Sequence, residues 1–257
     1  MATLLLKKSY LHKNFKEIKF NDLWNLYGIF TTMNVVGKPY KILHYNNHIN
    51  NLVASLKLYK INVKNLKKKI KFLINENLDN SKSYDHLFRV AVNKKIISIS
   101  LRKRPKPKKN FKLKLINYQR VDASHKNLKY KKILKILGKL DTSQFDIALY
   151  KNNKILETGT SNLLFVKKQK IFSPIKDYYE GNTYRFFKSK IKKIIKKDIL
   201  IKELKDYEEI ILIGSGKGVT SVKSIKDIDW KRKSLNKLKE FSKYYKLAVN
   251  KCNHYKF

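Results

Sequence analysis

Two periods of hydrophobic and polar positions recur along the chain, one typical of helices and one typical of strands. Residues 47–60 follow the helical period, since Ile49, Leu52 and Leu56 fall on one side of the predicted helix. Residues 63–77 follow it again, and lysines fill their polar face. Three further helices are predicted at 127–138, at 182–196 and near 234–247. Strands are predicted at 27–32, 87–92, 96–101, 111–117, 145–151, 154–157, 162–167, 170–172, 199–203, 209–213 and near 219–225.

One short segment interrupts this pattern and marks a boundary between domains. The residues from Lys103 to Asn110 include Pro105 and Pro107, two of the four prolines of the chain. Because proline donates no backbone hydrogen bond, the segment fits neither a helix nor a central strand. The predicted fold class is α+β. We predict a small N-terminal α/β domain at 1–102, an interdomain linker at 103–110 and a larger, strand-rich C-terminal domain at 111–257.

The formal net charge of the chain is +41, which usually suggests a nucleic acid or an anionic surface as partner. Only six of the 60 basic residues are arginine, however, and the lysines are spread over every segment. Arginine is the residue suited to bidentate contacts with phosphates and bases. The charge therefore indicates solvated lysine faces, and we expect no specific nucleic-acid partner. A basic nucleic-acid-binding protein is the third of three functional hypotheses.

Several classes of protein do not fit the composition. No apolar run has the length that a transmembrane helix needs, and the first residues lack a signal-peptide pattern. Cys252 is the single cysteine, which excludes an internal disulfide framework and suits a reducing compartment. His44 and His48 share a helical face without an acidic or thiol partner nearby in sequence, so we predict packed histidines and no metal site. We expect a cytoplasmic protein with no membrane partner.

Four separated features carry the candidate chemistry. Lys126 precedes a predicted helix, and Glu157 ends a predicted strand. The run Gly181-Asn182-Thr183 opens another predicted helix, and Gly214-Ser215-Gly216 follows an apolar strand. The second of these turns is not a P-loop, because its lysine comes too early. Each feature alone is common, and only their order and spacing make them informative.

Together these residues resemble the class IV, or fold-type IV, pyridoxal 5′-phosphate enzymes. The resemblance runs from about residue 28 to residue 225. Its most specific part is Glu157–Phe165, which has the pattern Glu-x4-Asn-Leu-x-Phe and follows the strand Asp146–Leu149. Near the start, Gly28–Thr32 reads Gly-Ile-Phe-Thr-Thr, which is similar to the lyase branch of the family. The transaminases more often have a glutamate in place of Thr31.

The resemblance implies a two-lobed enzyme that holds pyridoxal 5′-phosphate. Lys126 would form the Schiff base and then carry the α-proton. Glu157 would keep the pyridine nitrogen protonated, as the cofactor needs in order to accept electrons. The phosphate would lie against backbone N–H groups at two turns, one of them a helix N-terminus. The residues implied at these turns are Asn182, Thr183, Ser215 and Gly216, and those implied on the substrate side are Phe30 and Thr32.

The activity that the resemblance favours is that of a 4-amino-4-deoxychorismate lyase, which forms 4-aminobenzoate and pyruvate for folate biosynthesis. The short match at Gly28–Thr32 is the main reason for this preference. An aminotransferase of the same fold, for branched-chain or D-amino acids, is the second hypothesis. Members of the family are commonly homodimers, so a homodimer is expected.

The sequence also departs from the family in four places. Asn51 stands where the family has an arginine that pairs with the phosphate, which predicts a loss of about 1–2 kcal/mol in cofactor binding. The loop that helps to shape the substrate site shrinks to residues 93–95. Lys129 replaces a common asparagine, and Tyr184 replaces a common arginine. Recognition of the substrate carboxylate is therefore expected to differ from that of the family.

Overall fold

The computed structural model of the protein describes residues 4–252. These residues form two compact units. The first contains residues 4–104, 125–131 and 251–252, and the second contains residues 105–124 and 132–250. The main break at Arg104 lies close to the start of the predicted linker. The short return of residues 125–131 to the first unit does not follow from the hydrophobic pattern.

The first unit is a six-stranded antiparallel sheet with two helices. Its strand order is β2-β1-β6-β5-β3-β4. The strands are β1 (Leu4–Leu11), β2 (Glu17–Ile18), β3 (Gly28–Gly37), β4 (Lys41–Ile42), β5 (Tyr84–Asn93) and β6 (Ile96–Lys103). The helices are α1 (Tyr45–Leu58) and α2 (Leu66–Asn77).

The core of the first unit explains why these elements form. Met33 and Val35 of β3 lie on one face of the sheet, and Leu52 of α1 and Ile70 of α2 belong to the same buried cluster. Helical and strand periods therefore place their apolar residues in one core, as predicted. Strand β1 was not predicted, because lysines at positions 7 and 8 break its alternation.

Residues 126–130 correct the prediction of a helix at 127–138. Helix α3 spans only Lys131–Leu137. The preceding residues lie beside β3 instead: the N–H of Phe30 donates to the carbonyl of Lys126 at 2.9 Å, and the N–H of Leu128 donates to that of Gly28 at 2.9 Å. A Cβ on Gly28 would lie 2.3 Å from the Val92 carbonyl oxygen, so only glycine permits this close packing. The contact fixes Lys126 next to the sheet.

The second unit contains two sheets. Their strand orders are β12-β11-β10-β14-β15 and β13-β9-β8-β7-β16-β17. The strands are β7 (Lys112–Asn117), β8 (Phe145–Lys151), β9 (Lys154–Thr158), β10 (Asn162–Lys167), β11 (Lys170–Ser173), β12 (Ile194–Lys196), β13 (Ile199–Leu200), β14 (Glu209–Gly214), β15 (Gly218–Ser221), β16 (Ser224–Ile225) and β17 (Trp230–Lys231). The helices are α4 (Asn182–Lys190) and α5 (Asn236–Asn250), with 3-10 turns at Ile201–Asp206 and Lys226–Ile228.

Two predicted elements of the second unit were too long. The helix predicted at 182–196 ends at Lys190, because residues 194–196 pair in parallel with β11 as strand β12. The strand predicted at 199–203 stops at Leu200, and a 3-10 turn follows. In both places a tertiary pairing or turn overrides a local apolar period, which is the usual limit of such predictions.

Candidate active site

Lys126 lies beside Phe30, one of the two residues that the sequence predicted on the substrate side. Its Nζ is 4.9 Å from the centroid of the Phe30 ring, and Phe30 is buried in β3. Thr32 lies two residues further along the same strand, so its side chain is on the same face as that of Phe30. Strand β3 therefore presents Phe30 and Thr32 together, with the Lys126 amine next to the ring.

A third side chain on this face, Arg89, was not identified from the sequence. Arg89 is the β5 partner of Thr32 in the sheet register, which puts the two side chains on one face. Its guanidinium carbon is 3.7 Å from the centroid of the Trp24 ring and 5.4 Å from that of Phe30. Nη2 donates to the carbonyl oxygen of Asp22 at 2.7 Å.

The guanidinium of Arg89 is not fully satisfied within residues 4–252. Its Nε is buried and has no hydrogen-bond partner there, and no ion pair joins it to a carboxylate of these residues. Burial lowers the pKa of Arg89, but a guanidinium stays charged at neutral pH. A buried donor without a partner is costly, which makes the Nε of Arg89 a candidate donor to a ligand. The only sequence signal was its rarity, as one of six arginines.

The opposite face of β3 holds a buried histidine. Oγ1 of Thr31 is 2.7 Å from Nδ1 of His48, and His48 is 4% exposed. Burial, with smaller contributions from His44 and Lys126, lowers the pKa of His48 to about 3, so its ring is neutral at physiological pH. Asn51 lies one helical turn after His48 on α1. Thr31 therefore belongs to the helix side of the sheet and not to the face that bears Phe30.

Glu157 lies in β9 as one half of a buried ion pair with Arg120. Nε of Arg120 is 2.5 Å from Oε1 of Glu157, and Nη2 is 3.2 Å from Oε2. The two side chains are 2% and 7% exposed. Nη2 also donates to the Ala123 carbonyl at 2.7 Å, and the N–H of Tyr179 donates to Oε2 at 3.4 Å. Bidentate contact with a guanidinium favours the ionised form of a carboxylate.

Arg120 was also missed by sequence reasoning. It follows β7 in an irregular segment, where neither period operates. The available signal was chemical: a glutamate in an apolar strand needs a cation, and the chain has only six arginines. No spacing rule connects Arg120 to Glu157, which is 37 positions further along.

The predicted first phosphate turn is the N-terminus of α4. Asn182 and Thr183 are its first two residues, and both are buried. The side chain of Asn162 fixes the entry, because its Oδ1 accepts the N–H of Gly181 at 3.0 Å and its Nδ2 donates to the Tyr179 carbonyl at 2.6 Å. Within the described chain, Oγ1 of Thr183 is buried and has no hydrogen-bond partner. The helix start thus combines N–H donors with an unsatisfied hydroxyl, as an anion site requires.

The predicted second phosphate turn connects β14 to β15. Ser215 and Gly216 lie in this turn and are partly exposed. Lys217 does not act as a phosphate lysine of the turn, since it is buried and its Nζ donates to the Thr142 carbonyl at 3.0 Å. Gly218 closes the turn with a φ of +63°, a backbone conformation that favours glycine.

The sequence from β3 to β16 matches one family of enzymes. The profile of the amino-transferase class IV family covers residues 28–225. The chain belongs to the class IV aminotransferase family. Enzymes of this family use pyridoxal 5′-phosphate, so the predicted family and cofactor are confirmed, and the protein is a pyridoxal-phosphate-dependent aminotransferase or lyase.

Solved structures of class IV enzymes share the fold. A branched-chain aminotransferase from Thermoproteus uzoniensis, solved with norvaline, is 16% identical, with a TM-score of 0.78 over 95% of each chain. A hypothetical aminotransferase from Mycobacterium tuberculosis, in its pyridoxal-phosphate-bound form, is 13% identical, with a TM-score of 0.70 over 95% of this chain and 99% of that one. The predicted α+β fold of type IV is thereby confirmed.

A proposed 4-amino-4-deoxychorismate lyase from Legionella pneumophila also has this fold. It is 16% identical, with a TM-score of 0.69 over 86% of this chain and 91% of that one. A comparison of the sequence with curated proteins finds no match. The fold of this class IV protein is thus shared by lyase-like and aminotransferase-like structures, and does not choose between the two activities.

The residues of this class IV protein fit the cofactor of its family. The cofactor needs an amine, a carboxylate for its pyridine nitrogen and donors for its phosphate. Lys126 supplies an amine, and Glu157 supplies a carboxylate held by Arg120. The buried hydroxyl of Thr183 has no hydrogen-bond partner in the described chain, and this observation most directly indicates a site for a bound oxyanion.

A metal-binding cluster and a membrane-spanning helix are both absent from residues 4–252. No group of three or more His, Cys, Asp or Glu side chains there could hold a metal ion. None of the helices in the described chain is both long enough and apolar enough to span a membrane.

Proposed function

We propose that this class IV protein is a 4-amino-4-deoxychorismate lyase that forms 4-aminobenzoate and pyruvate. The observation that carries the proposal is the substrate face of β3. There the lyase-like run Gly28–Thr32 brings Phe30 to within 4.9 Å of the Lys126 amine, with the Arg89 guanidinium on the same face. An aromatic ring and an unsatisfied cation suit a cyclic substrate that carries carboxylates.

The cofactor is held, in this proposal, by the residues that the sequence indicated. Lys126 binds it covalently through Nζ, and Glu157 receives its pyridine N–H. Asn182 and Thr183 hold the phosphate at the N-terminus of α4, and Ser215 and Gly216 hold it at the second turn. When bound, the cofactor acts as an electron sink for the bonds at the substrate α-carbon. Arg120 keeps Glu157 charged and oriented for its part in this chemistry.

In this proposal, Arg89 supplies the contact to the substrate carboxylate that the shortened loop at 93–95 does not. It is rigid, because its guanidinium stacks on Trp24 and donates to the Asp22 carbonyl. Its buried Nε can then meet a substrate carboxylate without first giving up an internal partner. We propose that Arg89 binds a substrate carboxylate while Phe30 and Thr32 line the substrate ring.

Lys126 moves the proton in the proposed reaction. Its free Nζ would accept the proton of the substrate α-carbon, the bond between the ring and the enolpyruvyl oxygen would break so that the ring becomes aromatic, and the departing enolate would take up a proton to become pyruvate. The neutral ring of His48 adds no second positive charge near this amine.

Two further features of the proposal are the homodimer, which follows the family resemblance, and the cytoplasmic location, which follows the composition. We propose that the protein is a homodimer and acts in the cytoplasm. Analytical ultracentrifugation at several protein concentrations measures the first, and a species of one chain mass throughout would contradict it.

One experiment tests the bound cofactor, the Schiff-base role of Lys126 and the product together. The purified protein should absorb in the visible range, and borohydride should fix the cofactor on the peptide that contains Lys126. Incubation with 4-amino-4-deoxychorismate should release 4-aminobenzoate, and Lys126→Ala should abolish both labelling and product. Labelling at Lys126 without product would reject the lyase and retain the cofactor site.

An aminotransferase for branched-chain or D-amino acids is the second candidate. Arg89 favours it as well, because an amino acid or keto acid also presents a carboxylate to a guanidinium. Such an enzyme converts its bound aldehyde cofactor to the amine form when a single amino acid is added. Spectra recorded with leucine, D-alanine or L-glutamate alone separate the two activities, since a lyase changes little.

A further inference from the structure

A second polar cluster lies just before α4 and is not part of the proposed chemistry. Lys196, at the end of β12, contacts the hydroxyl of Tyr178, and its Nζ is 3.1 Å from Oε1 of Glu180. The same Nζ is 4.7 Å from the ring centroid of Tyr178 and 4.8 Å from that of Tyr184. The hydroxyl of Tyr184 is 3.0 Å from that of Ser173. Lys196 thus joins β12, α4 and the segment between β11 and α4.

The segment that Lys196 holds, residues 178–181, leads directly into the candidate site. The N–H of Tyr179 donates to Glu157, and the N–H of Gly181 donates to Asn162. Gly181 is the last residue before α4. Residues on either side of Tyr179 therefore bind Lys196, while Tyr179 itself contacts the carboxylate. A shift of this segment would move the helix N-terminus and the Glu157 contact together.

We propose that Lys196 is a positioning residue for cofactor binding: it fixes residues 178–181 and thereby the N-terminus of α4. This inference rests on the proposed assignment of that N-terminus to the cofactor phosphate. Lys196 acts through Glu180 and Tyr178 and does not touch the phosphate itself. Its loss should weaken cofactor binding and leave the fold intact.

Neighbouring charges do not replace Lys196. Lys188 is 3.9 Å from Oε2 of Glu180, but its side chain is 57% exposed, against 30% for Lys196. An exposed cation at that distance holds a carboxylate weakly. Burial lowers the pKa of Lys196 to about 8, so the amine is mostly charged at pH 7 and is set against the Glu180 carboxylate.

Lys197 offers a matched control. It is the next residue along the chain, and its Nζ is 3.1 Å from Oε2 of Glu203, with a side chain 39% exposed. This ion pair has the same length as that of Lys196 and a similar exposure, but Glu203 lies in the 3-10 turn at Ile201–Asp206. Lys197→Met therefore removes a neighbouring ion pair of the same length, one that makes no hydrogen bond, without touching residues 178–181.

The experiment titrates pyridoxal 5′-phosphate into cofactor-free protein at pH 7 and follows its absorbance, with thermal unfolding of each apoprotein as a second readout. Lys196→Met should raise the dissociation constant about threefold to tenfold, as expected for a partly exposed charge contact. Lys196→Arg should restore most of the affinity, and Lys197→Met should bind as the wild type does. If Lys196→Met does not fold, Glu180→Gln removes the same ion pair and should weaken binding similarly.

The possible results separate this inference from the proposed function. Wild-type protein that binds no cofactor would overturn both. Tight wild-type binding that Lys196→Met and Glu180→Gln leave unchanged would overturn the positioning role alone. Equal weakening by Lys196→Met and Lys197→Met would also overturn it, because the effect would then be general to ion pairs of this region.

Discussion

Arg120 is buried and Arg89 is partly buried, and of the two only Arg120 has a carboxylate partner in the described chain. Arg120 makes a bidentate pair with Glu157 and also donates to a carbonyl. Arg89 stacks on Trp24, donates once to a carbonyl and leaves its buried Nε without a partner. The first arginine completes a network inside the protein. Arg89 is held in place, and its Nε donor has no partner in the described chain.

This difference separates a residue that prepares the site from one that meets a ligand. A buried pair whose partners satisfy each other is costly to break. A rigid cation with an unused donor gains most when an acceptor arrives. Mutations of the two arginines should therefore differ in kind: one should change the stability of the protein, and the other its affinity for substrate.

The largest effect is expected for Arg120→Met. The change leaves the Glu157 carboxylate buried without a cation, so the free energy of unfolding should fall by about 3–5 kcal/mol. Urea unfolding of the apoprotein at pH 7 measures this loss.

The control for Arg120→Met removes both charges of the pair. Arg120→Met combined with Glu157→Gln should recover more than half of the lost stability, because no unpaired charge remains. A loss below about 1 kcal/mol in the single variant would contradict a strongly coupled buried pair.

A smaller effect, and of a different kind, is expected for Arg89→Met. Arg89→Met removes the Trp24 stack and the hydrogen bond to the Asp22 carbonyl but leaves no carboxylate unpaired, so the stability of the apoprotein should fall by only about 1–2 kcal/mol. The value of kcat/KM should fall about 10- to 100-fold, as for the loss of a hydrogen bond to a charged group. Steady-state kinetics with the substrate that the wild type accepts measures the fall.

Arg104 supplies the control on the same sheet. Its Nε is 2.5 Å from Oδ1 of Asp85, so Arg104 has the internal partner that Arg89 lacks. Arg104→Met should leave kcat/KM near the wild-type value. If Arg89→Met retains full kcat/KM but unfolds more easily, Arg89 is a structural residue and the comparison fails.

The sequence predicted more of the fold than of the site's surroundings. Regular periods identified both helices of the first unit and the central strands of both units, since burial on one face dictates those patterns. The prediction of a helix at 127–138 was wrong at its start, because Lys126 and Leu128 make backbone hydrogen bonds to β3. No local period records a bond to a distant strand.

The residues of the candidate site also divide into those that the sequence indicated and those that it missed. Lys126, Glu157 and Thr183 were selectable because the family pattern places them in order along the chain. Arg120 and Arg89 carry no such pattern, and their roles come from contacts across the fold. A buried carboxylate implies that a cation exists, but only the structure names it.

His48 is a buried ionisable group whose effect on stability is expected only as the pH falls below neutral. Burial lowers its pKa to about 3 in the folded protein, well below the ordinary value of 6.5. Between these values the unfolded chain binds more protons than the folded one, so stability falls as the pH drops from about 6.5 towards 3. Its contribution should be about 3 kcal/mol between pH 7 and pH 4, since each unit of pKa difference corresponds to about 1.4 kcal/mol.

Replacing His48 with a side chain that does not titrate tests this account of the buried ring. His48→Gln keeps a polar group for Thr31. Urea unfolding at pH 7, 5.5 and 4 should show a flatter pH dependence for the variant than for the wild type. His86→Gln is the matched control, because His86 is only partly buried and Asp85 opposes the lowering of its pKa. If His48→Gln and the wild type lose stability in parallel, the ring of His48 accepts a proton in the folded state.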